Sequence, residues 1–202
     1  MTMTKQISAK DVSTLRAKTG AGMMDCKKAL QEAGGDMDKA VEYLRKKGMA
    51  QAEKRAGRAA SEGYIGHYVH HNGKVAVLVE VNCETDFVAR TDDFQLLARE
   101  LALHIASARP LAVTPEELPA AVVEKEREIY REQAKESGKP EKIWDKIAEG
   151  KLRKFYSETV LLEQPYVRDD SKTIADVIKE AAAKLGENVV VRRFVRFELG
   201  EE

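Results

Sequence analysis

The sequence predicts an α+β protein, and three observations carry that reading. Residues 8–48 and most of 91–185 place apolar side chains three and four apart, as amphipathic helices do. Two runs of β-branched and aromatic residues, "YIGHYVHH" and "KVAVLVEVN", flank Asn72-Gly73, a type I′ hairpin signal. A third such run, "NVVVRRFVRFEL" at 188–199, closes the chain and supplies the last strand of an antiparallel three-stranded sheet.

The N-terminal stretch reads as three short helices. Ser8 caps the first, which carries Val12 and Leu15, and "TGAG" (19–22) ends it. Met23, Cys26, Ala29, Leu30 and Ala33 form the stripe of the second, stopped by Gly34-Gly35. Asp36 caps the third, in which Met37, Ala40, Val41 and Leu44 recur before Gly48 closes it. Helices this short are marginal alone in water, so they are expected to pack as a bundle. The expected division is a module over 1–50, a partly helical linker over 51–62, and a sheet-and-helix core over 63–202.

In the core, the odd positions of the second strand (75, 77, 79, 81) are all valine, which marks a buried face. In the closing strand Val189, Val191, Val195, Phe197 and Leu199 share one face, interrupted by Arg193 and expected to be buried. Arg192, Phe194 and Arg196 then form a half-polar face that is exposed or shared with a partner. One helix is expected from about Thr91 to Ser107, ended at Arg109-Pro110, and another over 173–185, capped by Thr173 or Ser171 and ended by Gly186. Between them, two charged segments with a thin apolar seam flank Ser137-Gly138-Lys139-Pro140. That pattern predicts a helical hairpin over about 117–157 that projects from the body.

Charge and composition narrow the function. The 202 residues carry no net charge, but residues 1–60 hold 13 Lys/Arg against seven Asp/Glu. A basic N-terminal piece suits an acidic protein surface or nucleic acid. No aromatics interleave with Arg45, Lys46, Lys47, Lys54, Arg55 and Arg58, so a solvated helix end and linker is the better account, and direct nucleic-acid binding is not expected. No apolar run reaches the ~20 residues of a membrane span, and "MTMTKQISAK" has no apolar signal region, so a cytoplasmic protein is expected.

Covalent chemistry finds little purchase. There is no GxxxxGK[ST] or GxGxxG loop, and Cys26 and Cys83 match no metal-ligand spacing. His67, His70 and His71 have no carboxylate placed beside them and read as solvated hairpin histidines. His104 reads as a surface or interface residue of its helix. Thr91-Asp92-Asp93 is an N-cap followed by acids at the positive helix end. No catalytic residue, cofactor or metal site is assigned, and an enzyme is not expected.

One stretch stands apart. In "EVNCETDFVAR" (80–90) an apolar strand runs into four polar residues and then sets Phe87 beside Asp86. Three readings are open: a core phenylalanine, an acidic site, or a wedge for a partner.

That stretch and "LRAKTGAGMMDCKKAL" (15–30) resemble the two signature segments of the bacterial translation elongation factor Ts family. The first 48 residues by themselves also resemble ubiquitin-associated-type modules, whose helix–TGxG–helix shape is shared more widely. The elongation factor resemblance continues through "SGKPEKIWDKIAEGKLRKF", "QPYV", "SKTIADVIKE" and "RRFVRFELGE", essentially the whole chain. It implies a guanine-nucleotide exchange factor that ejects GDP from elongation factor Tu without covalent chemistry. By the same resemblance Arg16, Met23 and Met24 dock on the GTPase domain. Thr85, Asp86, Phe87 and Val88 intrude near the Mg²⁺ side of its nucleotide pocket, and His104 makes a lesser contact with a second domain. Adjacent methionines beside "TGAG" make sense as an adaptable apolar surface. Longer family members carry two related sheet-and-helix subdomains where this chain has one. With the half-apolar face of the closing strand, that leads us to expect a homodimer and a two-plus-two complex.

Overall fold

Local sequence sets most of the helix ends in the N-terminal bundle. The computed structural model describes residues 7–201, so the first six residues of the expected module and Glu202 lie outside it. Helix α1 (Ala9–Thr19) opens on a capping box: Ser8 Oγ accepts from the Asp11 N–H, and the Asp11 carboxylate accepts from Ser8. Gly20, at φ 69°, closes it. Helix α2 (Met23–Glu32) gives way to Gly34 and Gly35, both at positive φ, and Asp36 caps α3 (Met37–Arg55) through the N–H groups of Asp38 and Lys39. Val12, Leu15, Cys26, Ala29, Leu30, Ala40 and Leu44 form the bundle's core.

Helix α3 does not stop at Gly48. It continues to Arg55, taking in the first part of the expected linker. Gly48 is a point of close approach: a Cβ there would stand 3.0 Å from the Cβ of Ala183 on α8 (Ile174–Leu185). Mid-helix glycine costs about 1 kcal/mol against alanine, and here the space it frees admits a neighbouring helix.

The bundle joins two distant segments in one compact unit: the described residues up to Gly63, Asn82–Phe94 and Ile178–Val190. The second unit holds Tyr64–Val81, Gln95–Val177 and the described residues from Val191. The three-stranded antiparallel sheet has the order β1-β2-β5, with β1 Glu62–Val69, β2 Val75–Cys83 and β5 Val190–Glu198. Val77, Val79 and Val81 are buried as their alternation predicts. Gly66 lets β1 lie against α5 (Asp92–Ala108): a Cβ there would fall 2.3 Å from the Ala98 carbonyl oxygen.

Two local expectations are corrected. The hairpin turn is not type I′, because Gly73 has positive φ and Asn72 does not. His70 N–H reaches the Val75 carbonyl at 2.9 Å, so the loop spans four residues, with Asn72 Oδ1 accepting from Lys74 N–H. The faces of β5 are also reversed over its second half. Arg192 and Arg193 are both exposed, which shifts the alternation by one residue. Val195, Phe197 and Leu199 therefore lie exposed, while the Arg196 side chain is nearly buried and ion-paired to Glu198 and Glu201. Arg193, which interrupted the apolar pattern in the sequence, pairs with Glu80 of β2 at 2.8 Å on the exposed side.

Helices α6 (Ala120–Glu136) and α7 (Trp144–Thr159) pack on each other around Ala134, Ala148 and Leu152. Arg127–Glu149 and Arg131–Asp145 pairs flank that seam. At the base, Leu111 N–H bonds the Thr159 carbonyl at 2.7 Å and Ala112 bridges Val160. A small antiparallel pair, β3 (Pro165–Tyr166) and β4 (Asp169–Thr173), has no sequence signal, since "DDSKT" lacks apolar alternation. Thr173 is the cap of α8, sharing a reciprocal bond with Asp176.

Candidate functional site: the Glu84–Arg90 turn

The opening stretch ends its strand by inward commitments. Cys83 is buried, its thiol donating to the Thr85 carbonyl at 3.2 Å, and burial, followed by the Glu187 charge, pushes its pKa up to about 11. It is an inert structural thiol. Asn82 donates to the Glu62 carbonyl, and the Glu84 carboxylate accepts the Asn188 N–H at 2.7 Å and faces Arg58. The Asn188 hydrogen bond, opposed by desolvation and joined by Arg58, holds the Glu84 pKa below the usual carboxylate range.

Thr85 then caps a single helical turn, α4 (Asp86–Ala89), its hydroxyl accepting from Val88 N–H at 3.4 Å. Ala89 points inward and is buried; Asp86 is half exposed and pairs with Arg90 at 2.9 Å. Phe87 is 82% exposed, the most exposed large apolar side chain among the described residues. Of the three readings of this stretch, the core phenylalanine is excluded. No cluster of three His, Cys, Asp or Glu suited to an ion occurs among the described residues.

Arg16, Met23 and Met24, the residues expected to dock on the GTPase domain, sit in the same compact unit. Met24 is 75% exposed and Met23 is 44% exposed at the start of α2, and Arg16 is exposed on α1. Neither methionine is spent on the bundle core. Three basic residues of α3 are ion-paired: Lys47 with Asp25, Lys46 with Glu42, Arg45 with Glu180.

His104 is not where the sequence put it. It is fully buried in α5, and Val167 N–H donates to its Nδ1 at 3.3 Å, so Nε2 carries the proton and donates to Gln164 Oε1 at 3.0 Å. Burial, opposed by that bond, lowers its pKa. The physical reason is Gln164, also buried, whose amide donates to the Ala108 and Glu158 carbonyls and so offers its oxygen to the ring. A side chain with no exposed surface is not a contact residue, and His104 is withdrawn from the docking set.

Sequence reasoning also missed residues that shape the turn. Glu187 and Asn188 lie about a hundred residues beyond Glu84 and Thr85, yet bond them directly. The legible signal was Gly186, a helix stop that frees the next two residues from α8.

Comparison with known proteins places the chain in a family context. The family model described as Elongation factor TS matches residues 2–201. The chain is 63% identical over 196 residues to Elongation factor Ts of Coprothermobacter proteolyticus, covering 97% of this chain and all of that protein. It is 60% identical to the protein of that name from Fervidobacterium nodosum, over 97% of this chain and 100% of the relative. For Moorella thermoacetica Elongation factor Ts the identity is 59%, over 96% of both chains.

Proposed function

The chain belongs to the elongation factor Ts family of translation factors, and from that premise we propose that it releases GDP from elongation factor Tu. The observation that carries the reading is Phe87, a phenyl ring held in water at 82% exposure on a turn that Cys83 and Glu84 anchor inward. Fully burying such a ring is worth about 1.5–3 kcal/mol, a gain the free protein leaves for a partner.

Docking is by the exposed methionines and Arg16, and the turn is the working part. Asp86 and Phe87 make the contacts, with Thr85 and Val88 flanking them as cap and support. Inserted near the Mg²⁺ side of a nucleotide pocket, an apolar ring and a carboxylate disturb a cation that keeps few protein ligands and several waters. GDP loosens as the factor binds, and by reciprocity GDP loosens the factor to the same degree. Dissociation is accelerated with no covalent bond made or broken, so no acid–base pair is needed.

The working form proposed is a homodimer in a two-plus-two complex with the GTPase. Support comes from the outer face of the three-stranded sheet, where Ile65, Val69, Leu78, Val195, Phe197 and Leu199 are all exposed. A second copy offers the same apolar face, self-complementary about a two-fold axis. A direct role on RNA is not proposed.

The test is release of a fluorescent GDP from elongation factor Tu, chased with unlabelled GDP, with and without this protein. Release accelerated at substoichiometric protein is expected. Release at the spontaneous rate, alongside RNA binding with a steep salt slope, would replace the reading with a nucleic-acid role.

A further inference from the structure

We infer that Glu187 is a positioning residue for the exchange wedge: its carboxylate fixes the direction in which α4 presents Asp86 and Phe87, an inference that rests on the exchange reading above. A four-residue helix does not hold its own shape, because the first turn fixes several dihedrals for one hydrogen bond. Phe87, exposed to solvent, has little packing to hold it. Ala89, buried, and Thr91, bonded to the Val88 carbonyl, hold the far end of the turn, and the residues just before it set the near end.

Those residues converge on one carboxylate. Glu187 Oε2 accepts the N–H groups of Glu84 and Thr85, each at 3.0 Å, and Oε1 accepts the Thr85 hydroxyl at 2.6 Å. A hydroxyl has one proton to give. With that proton committed to Glu187, the Thr85 oxygen lone pairs are turned toward Val88 N–H, the cap of α4. One side chain thus sets both the backbone entering the turn and the cap that closes it.

The carboxylate is itself held. Gly186, at φ 77°, ends α8 with its N–H on the Ala182 carbonyl and redirects the chain. Asn188 follows, donating its side-chain amide to the carbonyls of Ala56 (3.2 Å) and Arg58 (2.8 Å) and its backbone N–H to the Glu84 carboxylate. The end of α3, the α4 turn and the end of α8 are thereby locked reciprocally. This is the kind of supporting shell that holds a working group in productive geometry.

The experiment is stimulated release of fluorescent GDP from elongation factor Tu, titrated to saturation with Glu187→Ala, Glu187→Gln, Phe87→Ala and the Glu187→Ala/Phe87→Ala double variant. Maximal release is expected to fall ~10-fold or more in Glu187→Ala, as misplacement of a working group does. The half-saturating concentration should move by a smaller factor than maximal release, because Arg16, Met23 and Met24 lie on other segments and still dock. Glu187→Gln, keeping the shape and one acceptor oxygen, should fall between, and it carries the same comparison if melting shows Glu187→Ala unfolded. In the Phe87→Ala background, Glu187→Ala should cost less than it does in wild type, because only Asp86 is left for it to misplace. Wild-type rates for both Glu187 variants beside a slow Phe87→Ala overturn the inference, as does full multiplication of the two losses or an effect confined to half-saturation. A wild-type rate for Phe87→Ala instead strikes the wedge itself, and the positioning role falls with it.

Discussion

His104 donates from Nε2 to Gln164 at 3.0 Å while its Nδ1 accepts from the Val167 backbone, so both ring nitrogens are engaged only when the ring is neutral. Protonation would set two N–H groups against each other at Nδ1. The folded protein therefore holds the imidazole neutral, and its pKa lies below the ordinary 6.5. Between the lowered folded value and the unfolded value, the unfolded chain binds more protons, so stability rises with pH there. This contribution is complete above about pH 6.5 and is lost as pH falls below it.

The check is urea unfolding at two pH values on either side of that point, for wild type and His104→Gln. Wild type should lose more stability on acidification than the variant. At the higher pH the variant itself should be weaker by about 1–3 kcal/mol, having left buried polar groups unpaired. Equal acid slopes would show that the histidine does not titrate as described.

The exposed sheet face gives the second prediction. Leu78 on the central strand and Phe197 on β5 are 49% and 66% exposed, so a charge at either position should leave the fold intact. If this face joins two copies, Leu78→Glu and Phe197→Glu should scatter light as monomers while keeping the wild-type circular dichroism. A wild-type protein that is monomeric across micromolar concentrations, alone and with its GTPase, would end the dimer proposal.

Gly66 and Gly57 make a matched pair. A Cβ on Gly66 would sit 2.3 Å from the Ala98 carbonyl oxygen, and helix backbone does not yield cheaply; a Cβ on Gly57 meets nothing within 4 Å. Gly66→Ala should cost about 1–3 kcal/mol through forced displacement of β1 and α5. Gly57→Ala should stay within about 0.5 kcal/mol of wild type. Chemical denaturation of both variants reads the contrast, and two equal stabilities would mean that β1 does not approach α5 this closely.

Most of the fold is legible wherever the relevant force is local. Ser8, Asp36 and Thr173 cap helices because their side chains bond backbone two or three residues on, and such bonds are encoded within a few positions. The burial of Val77, Val79 and Val81 follows from strand periodicity alone. The failures share a different cause. Arg192 and Arg193 shift the parity of β5, and Gly48 is a helix contact instead of a stop, because tertiary packing decides both. His104 looked like a surface residue because its partners, Gln164 and Val167, lie some sixty residues away. Glu187 is invisible for the same reason, while Phe87 is conspicuous because an aromatic after four polar residues has no local apolar partner to fold onto.

The central claim is that Phe87 works outward, and Phe87→Ala tests it most directly when stability and stimulated GDP release are measured on the same preparation. At 82% exposure the ring adds little to the fold, so the variant's stability should stay within about 0.5 kcal/mol of wild type, against the ~3–5 kcal/mol that losing a core phenylalanine costs. Stimulated release should slow markedly while the spontaneous release of the GTPase is unchanged. A variant that melts far below wild type yet exchanges GDP normally per folded molecule would contradict the account, and the exchange surface would then have to be sought elsewhere on the chain.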